Sequence, residues 1–215
     1  ILIVNYNGSE ERAKEVKQTI EENGGKASVY KCNVSDFEAC ETMIKDVVKE
    51  YGHLDILVNN AGITRDGLIM KMKEEDFDAV LNVNLKGTFN TIRHSVRQML
   101  KQRSGKIINI SSMWGTVGAS CEAAYSATKS GMNGLTKALA KELAPSNVQV
   151  NAIACGVIDT AMNAQFSEEE REALREEIPA GRFADSEEVA ALALTLASGH
   201  SYLTGQIIGL DGGYI

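Results

Sequence analysis

"KIINISS" (106–112) and "VQVNAIA" (148–154) are two short apolar runs of strand length, with a helix-length stretch between them. A strand, a long crossover and a second strand predict parallel pairing, because only a crossover brings the chain back to the same end of a sheet. The alternation continues outward in both directions. "ILIVN" (1–5), "ASVYKC" (27–32) and "LDILVNN" (54–60) read as strands upstream, and "QIIGL" (206–210) reads as one downstream. Ser9 with Glu10 and Glu11 marks one helix start and "NGG" (23–25) its end. Ser35 and Glu38 form a capping-box pattern before a helix closed by Gly52. Phe77, Val80, Leu81, Leu85, Phe89, Ile92, Val96 and Leu100 recur at helical spacing along one long segment, and Ser186 to Ala197 is a further helix. The pattern predicts an α/β fold with a doubly wound parallel, Rossmann-like sheet, as a single domain over 1–215.

The totals exclude several classes. The 215 residues are 44% hydrophobic and 24% charged, ordinary for one globular domain. A net charge of −7 argues against a nucleic-acid surface, which needs a basic face. No apolar run approaches the roughly 18 residues of a membrane span. "ILIVNYNG" (1–8) lacks the basic start and cleavage site of a signal peptide. Cys32, Cys40, Cys121 and Cys155 show no metal-type spacing, so no metal site is expected, and they read as reduced cytoplasmic thiols. His53, His94 and His200 stand singly and read as solvated or packed.

In doubly wound sheets, ligands bind at the carboxyl ends of the strands. That rule selects Asn33, Asn60, Ser112 and the segment after Ala154. Beyond Ser112, "AAYSATKSG" (123–131) places Tyr125 and Lys129 four residues apart, on one face of a helix. The small residues around them, Ser126, Ala127, Thr128, Ser130 and Gly131, suit close approach by a ligand and by neighbouring helices.

NNAG (59–62), the Asn84 of "NVNLKG", Ser112, the YxxxK of Tyr125 and Lys129, and "GVIDT" (156–160) stand in one order along the chain. In that order they resemble the short-chain dehydrogenase/reductase family. "NNAGITRDGLIMKM" (59–72), "MLKQRSGKIINISS" (99–112) and "LTGQIIGLDGG" (203–213) are most similar to its branch of bacterial 3-oxoacyl-(acyl carrier protein) reductases. The resemblance implies a catalytic set of Asn84, Ser112, Tyr125 and Lys129, with cofactor contacts at Asn33, Val34, Asn60, Tyr125, Lys129, Ile158 and Thr160. It implies substrate contacts at Ser112 and Arg103. It further implies NADPH, an acyl carrier protein or coenzyme A thioester as substrate, a role in fatty-acid synthesis, and a homotetramer.

The chemistry follows from the residue types. A hydride reaching a ketone leaves an alkoxide that needs a proton and a hydrogen-bond donor. Tyr125 would give the proton and Ser112 the hydrogen bond. The resemblance gives Lys129 the role of lowering the phenol pKa from about 10 and of holding the ribose, and gives Asn84 a relay water. By position, Ser111 competes with Ser112, and Asn82 with Asn84. The acidic run 167–177 reads as a solvated helix face, with Met113 and Trp114 leaning toward the substrate cleft.

The chain departs from the family in three places. The family's glycine-rich phosphate turn is absent, and the first strand looks like the family's second. Its lack would leave a gap of roughly 10 Å in the sheet, so about 30 residues of strand, turn and helix are expected upstream. Cys155 stands where members often carry proline, a thiol open to oxidation or alkylation. Of two basic carrier-binding positions, Arg103 is kept and the other falls at Ser146. No acid stands between Asn5 and Ser9, which favours NADPH over NADH. Two rival readings remain: a dehydrogenase of another small alcohol, and an inactive member serving as an assembly partner.

Overall fold

A computed structural model describes residues 1–161, 163 and 166–215. Among the described residues, six parallel strands lie in two sheets. β1 (Leu2–Tyr6) pairs with β2 (Ala27–Lys31), and β3 (Ile56–Asn59), β4 (Gly105–Ser112), β5 (Val148–Cys155) and β6 (Ile207–Leu210) pair in that order. β5 is buried along its whole length, as a central strand covered on both faces must be. Among the described residues, no ladder joins the two sheets. On β3, Ile56 and Val58 remain 43% and 46% exposed.

The helices are α1 (Glu10–Glu22), α2 (Phe37–Tyr51), α3 (Glu74–Val80), α4 (Gly87–Gln102), the short α5 (Trp114–Val117), α6 (Ala123–Leu143), α7 (Glu168–Glu177) and α8 (Ser186–Ala197). Two expectations need correcting. The cap of α2 is Asp36, accepting from the Ala39 amide at 2.9 Å, and not Ser35. Asn33 Oδ1 accepts both the Ser35 amide (3.1 Å) and its hydroxyl (2.8 Å), which takes Ser35 out of the capping role. The segment 77–100 is not one α-helix either. A π-helical turn, Leu81–Lys86, divides α3 from α4 and carries Asn84 into the interior.

Side chains join the two sheets where no ladder does. Asn90 on α4 donates to the Val34 carbonyl at 2.8 Å. A Cβ at Gly87 would stand 2.7 Å from a Val34 methyl, so α4 can approach only because that residue is glycine. Phe37 packs edge-on against His94 (4.4 Å between centroids) and stacks on Phe89 (6.5 Å). Under α4 and α6 lies a core of Ile92, Met99, Ile107, Leu143, Val148 and Val150; Ile108, Ile153 and Leu196 form another under α8.

A polar ladder crosses this core. Thr91 donates to Asn59 Oδ1 (2.6 Å), Asn59 Nδ2 to Asn109 Oδ1 (2.8 Å), and Asn109 Nδ2 to Thr136 Oγ1 (2.9 Å). The Thr136 hydroxyl donates in turn to the Met132 carbonyl at 2.8 Å. All four side chains are buried, so each bond replaces one lost to water. The ladder ties α4, β3, β4 and α6 together just below the strand ends. Asn109→Ala should strand the Asn59 amide and cost about 1–3 kcal/mol. Urea unfolding would show a lower midpoint at unchanged slope.

Candidate active site

Ser112 is the last residue of β4, and period-two alternation sends it and Ser111 to opposite faces. The Ser111 hydroxyl donates to Asn133 Oδ1 at 2.7 Å inside the β4–α6 interface and is structural. Ser112 instead lies against the Tyr125 phenol, its Oγ also accepting the Trp114 amide at 3.2 Å. Tyr125 stands in the first turn of α6, and Lys129 one turn further on, only 3% exposed. Lys129 Nζ donates to the Ile110 carbonyl at 2.7 Å and sits 5.4 Å from the Tyr125 ring centroid.

Small residues make this burial possible. A Cβ at Gly115 would fall 2.7 Å from the Lys129 carbonyl carbon and 2.8 Å from its Cβ. Ser130 and Asn133 then donate to the Gly115 carbonyl, at 2.9 and 3.2 Å. Of the two candidate asparagines, Asn84 reaches the site. It accepts the Ile63 amide (2.9 Å) and donates to the Ile63 carbonyl (2.9 Å) and to Thr128 Oγ1 (3.2 Å). A Cβ on Gly62 would lie 3.6 Å from Asn84 Oδ1 and 3.7 Å from Lys129 Nζ, so the NNAG loop, the π-helical turn and α6 converge on one spot.

The electrostatics differ from expectation. Burial pushes the Tyr125 phenol up to about 12; the Ser112 hydrogen bond opposes this, and Glu122, Cys155 and Asp66 add to it. Burial also brings Lys129 down to about 8. Against the expected lowering by the ammonium, loss of water is the largest influence on the phenol, and it penalises both charged forms. Tyr125 is therefore a protonated acid at neutral pH. Cys155 is 9% exposed, its thiol pushed up to about 11 by burial despite Lys129 nearby. It is not the reactive thiol expected, since the thiolate is the nucleophile.

The remaining candidates are dispersed. Asn33 and Val34 follow β2, Asn60 is exposed directly after β3, and Ile158 forms a parallel bridge to Ala184 with the exposed Thr160 beyond it. Met162, in the same stretch, lies outside the described residues. The structure does not bring Arg103 to this group. It closes α4 ahead of β4, about 25 Å from Ser112 at strand rise, and donates to the Pro145 carbonyl at 3.2 Å. Met113 is buried in the packing, and Trp114 sits edge-on to Tyr214 at 5.7 Å. The acidic run forms α7, where Arg175 pairs with Glu168 (2.9 Å) and Glu172 (2.6 Å) and Arg171 reaches Asp159 (3.0 Å). Among the described residues, no cluster of three metal ligands occurs, and no helix is long and apolar enough to cross a membrane.

Residues 1–215 match the family described as enoyl-(acyl carrier protein) reductase. A 3-oxoacyl-[acyl-carrier-protein] reductase FabG of Thermotoga maritima is 50% identical over 192 residues, 89% of this chain and 78% of that protein. Proteins of the same name from Staphylococcus aureus and Aquifex aeolicus are each 47% identical, over 98% and 99% of this chain and 86% of their own lengths. The chain belongs to the short-chain dehydrogenase/reductases. It is an NAD(P)-dependent oxidoreductase of that type.

In this reductase, one charged neighbour of the site escaped the sequence reading. Glu122 is a half-buried carboxyl pushed up to about 7, by burial first and by Asp66 second. Its place one turn ahead of Tyr125 was the available signal. The folded chain holds this proton more tightly than the unfolded one, so the stability it contributes is complete below about pH 4.5 and lost as pH rises through about 7. Urea unfolding at a series of pH values should show Glu122→Gln flattening the decline across that window.

Proposed function

We propose that this chain reduces a 3-oxoacyl thioester, carried by acyl carrier protein or coenzyme A, to the 3-hydroxyacyl thioester with NADPH, as a cytoplasmic homotetramer in fatty-acid synthesis. One observation carries the reading: a phenol that stays protonated at neutral pH, beside a serine hydroxyl, at the carboxyl end of the central strands. The names of relatives 44–50% identical support the substrate class.

The residues suit a nicotinamide cofactor. Lys129 spends one of its three donors on Ile110, and the missing side chain of Gly62 leaves space bounded by Asn84 and Lys129. Lys129 and Tyr125 would take the ribose hydroxyls, with Asn33, Val34, Asn60, Ile158 and Thr160 placed along the strand ends for the rest. The bound dinucleotide would supply the hydride. Ser112 donates a hydrogen bond to the ketone oxygen. Tyr125 passes its proton to the same oxygen as alkoxide charge develops, and the developing phenolate draws a replacement from Lys129.

Asn84 holds Ile63 against α6 and so keeps Lys129 in place. Its side-chain amide is committed to Ile63 and Thr128, and its main-chain carbonyl already accepts the Thr88 hydroxyl at 2.8 Å, so a relay water would share that carbonyl. NADPH is favoured because no acid follows β1 before Glu10. Arg103, far from Ser112, is assigned to the acidic surface of the carrier protein, where a cation on a chain of net −7 aids encounter. The exposed small residues of α6, Ala127, Ser130 and Gly134, leave a face on which subunits can pack closely. Four free cysteines suit a reducing cytoplasm.

Following NADPH absorbance with 3-oxoacyl and 2-enoyl thioesters and free ketones tests the reading. The 3-oxoacyl thioesters should be turned over, more slowly with NADH. Reduction of the 2-enoyl substrate alone would overturn it. Tyr125→Phe should lower turnover by roughly 100-fold or more while fluorescence titration finds dinucleotide affinity changed by only a few fold. Lys129→Ala should impair both.

A further inference from the structure

Glu122 occupies the last position before α6, three residues ahead of Tyr125, where helical geometry puts the two side chains on adjoining positions. Its backbone is fixed at both ends: its amide donates to Ala119 (3.3 Å) and its carbonyl accepts from Ser126 (2.8 Å). The turn is also pinned to the loop after β3, because the Gly67 amide donates to the Cys121 carbonyl at 2.7 Å. That bond brings Asp66 close enough to act on both Glu122 and Tyr125. Among the described residues, the Glu122 carboxyl has no hydrogen-bond donor and no ion-pair partner, although it is half-buried.

The charges around it are arranged in layers. From the loop after β3 come Asp66 and Arg65, but Arg65 is turned to the Thr64 carbonyl (2.8 Å) and to Asp76 of α3 (3.6 Å). From α6 come Tyr125 and Lys129, the ammonium lying deeper and held by Ile110. β4 offers the uncharged Ser112, β5 the protonated Cys155, and the π-helical turn the uncharged Asn84. The phenol therefore has, in the adjoining turn and loop, two acids with no ion-pair partner among the described residues, and one turn along α6 a buried ammonium bonded to a neutral carbonyl.

We propose that Glu122 is a positioning residue for the Tyr125 proton: its carboxylate, backed by Asp66, opposes phenolate formation and holds the proton on the phenol. The proposal rests on the reading of Tyr125 as the proton donor. Glu122 loses its proton near pH 7, so its charge appears within the range where the enzyme works. Reduction needs the phenol protonated, whereas oxidation needs the phenolate. A negative charge one turn away therefore moves the pH at which the phenolate needed for oxidation appears, while the equilibrium constant fixes the ratio of the two directions at any one pH.

The first test needs no substrate. In protein labelled with [13Cζ]tyrosine, the Tyr125 resonance is assigned by its loss in Tyr125→Phe. It should show an inflection near pH 7, absent in Glu122→Gln and kept in Glu122→Asp. The second test follows kcat/KM for oxidation of a 3-hydroxyacyl thioester against pH. Glu122→Gln should move the rising limb toward acid by about one pH unit, the size expected for one charge at this spacing, and Glu122→Asp should restore it. A Tyr125 resonance flat around pH 7, a Gln variant that titrates like wild type, or an unmoved oxidation limb would overturn the proposal. An inflection lost in Glu122→Gln, in an enzyme that turns over no 3-oxoacyl or 3-hydroxyacyl thioester, would uphold the coupling and count against the substrate reading instead.

Discussion

A lysine ammonium held almost wholly out of water is the constraint on which the site depends. Lys129 loses most of its hydration and keeps one bond within the chain, to the Ile110 carbonyl, with the Tyr125 ring alongside. Such burial is costly unless neighbours are arranged for it. α5 must come close enough to seal the lysine, which no residue with a Cβ at 115 would allow. The NNAG loop must close over it from the other side, which Asn84 enforces by gripping both backbone groups of Ile63. Drying then sets the chemistry. The same loss of water lowers the ammonium and raises the phenol, so both groups sit far from their ordinary values for one cause.

The scaffold supporting this site uses two kinds of linkage. Between β3, β4, α4 and α6, the Asn59–Asn109–Thr136 ladder fixes strand register and helix position at once, because a one-residue slip would unpair every member. Between the two sheets, the connection runs through α2 and α4 by ring packing, one asparagine bond and the glycine contact at Val34. The Ser112–Tyr125–Lys129 group thus rests on the hydrogen-bonded sheet, while Asn33 and Val34 depend on side-chain packing between helices.

Much of this was legible in the sequence. Strands at 106–112 and 148–154 fall within a residue of β4 and β5, and Ser186–Ala197 is reproduced as α8. Apolar runs between helical stretches carry that information directly. The π-helical turn was not legible, since Leu81, Leu85 and Phe89 keep a helical spacing whether or not one extra residue is accommodated. The capping error at Ser35 has a local cause, an asparagine two residues earlier that outbids the helix for the same groups. Charge tuning was misjudged because sequence shows which ions are near one another and not how dry they are. Glu122 passed unnoticed for the related reason that its weight comes from lacking a partner.

On the proposed reading, the two perturbed groups make a relayed proton supply. Tyr125 would give its proton to the substrate oxygen and be left as the conjugate base of a phenol near 12. Lys129, an acid near 8, lies beside it, so transfer from ammonium to phenolate would run downhill and restore the donor. Oxidation retraces the same path with the phenolate as base, so the reaction's equilibrium sets its direction. What the dehydration of two side chains on adjacent turns of one helix sets is the protonation state in which each is held. The close packing that dehydration needs is supplied by Gly62, Gly115 and Asn84 around the lysine.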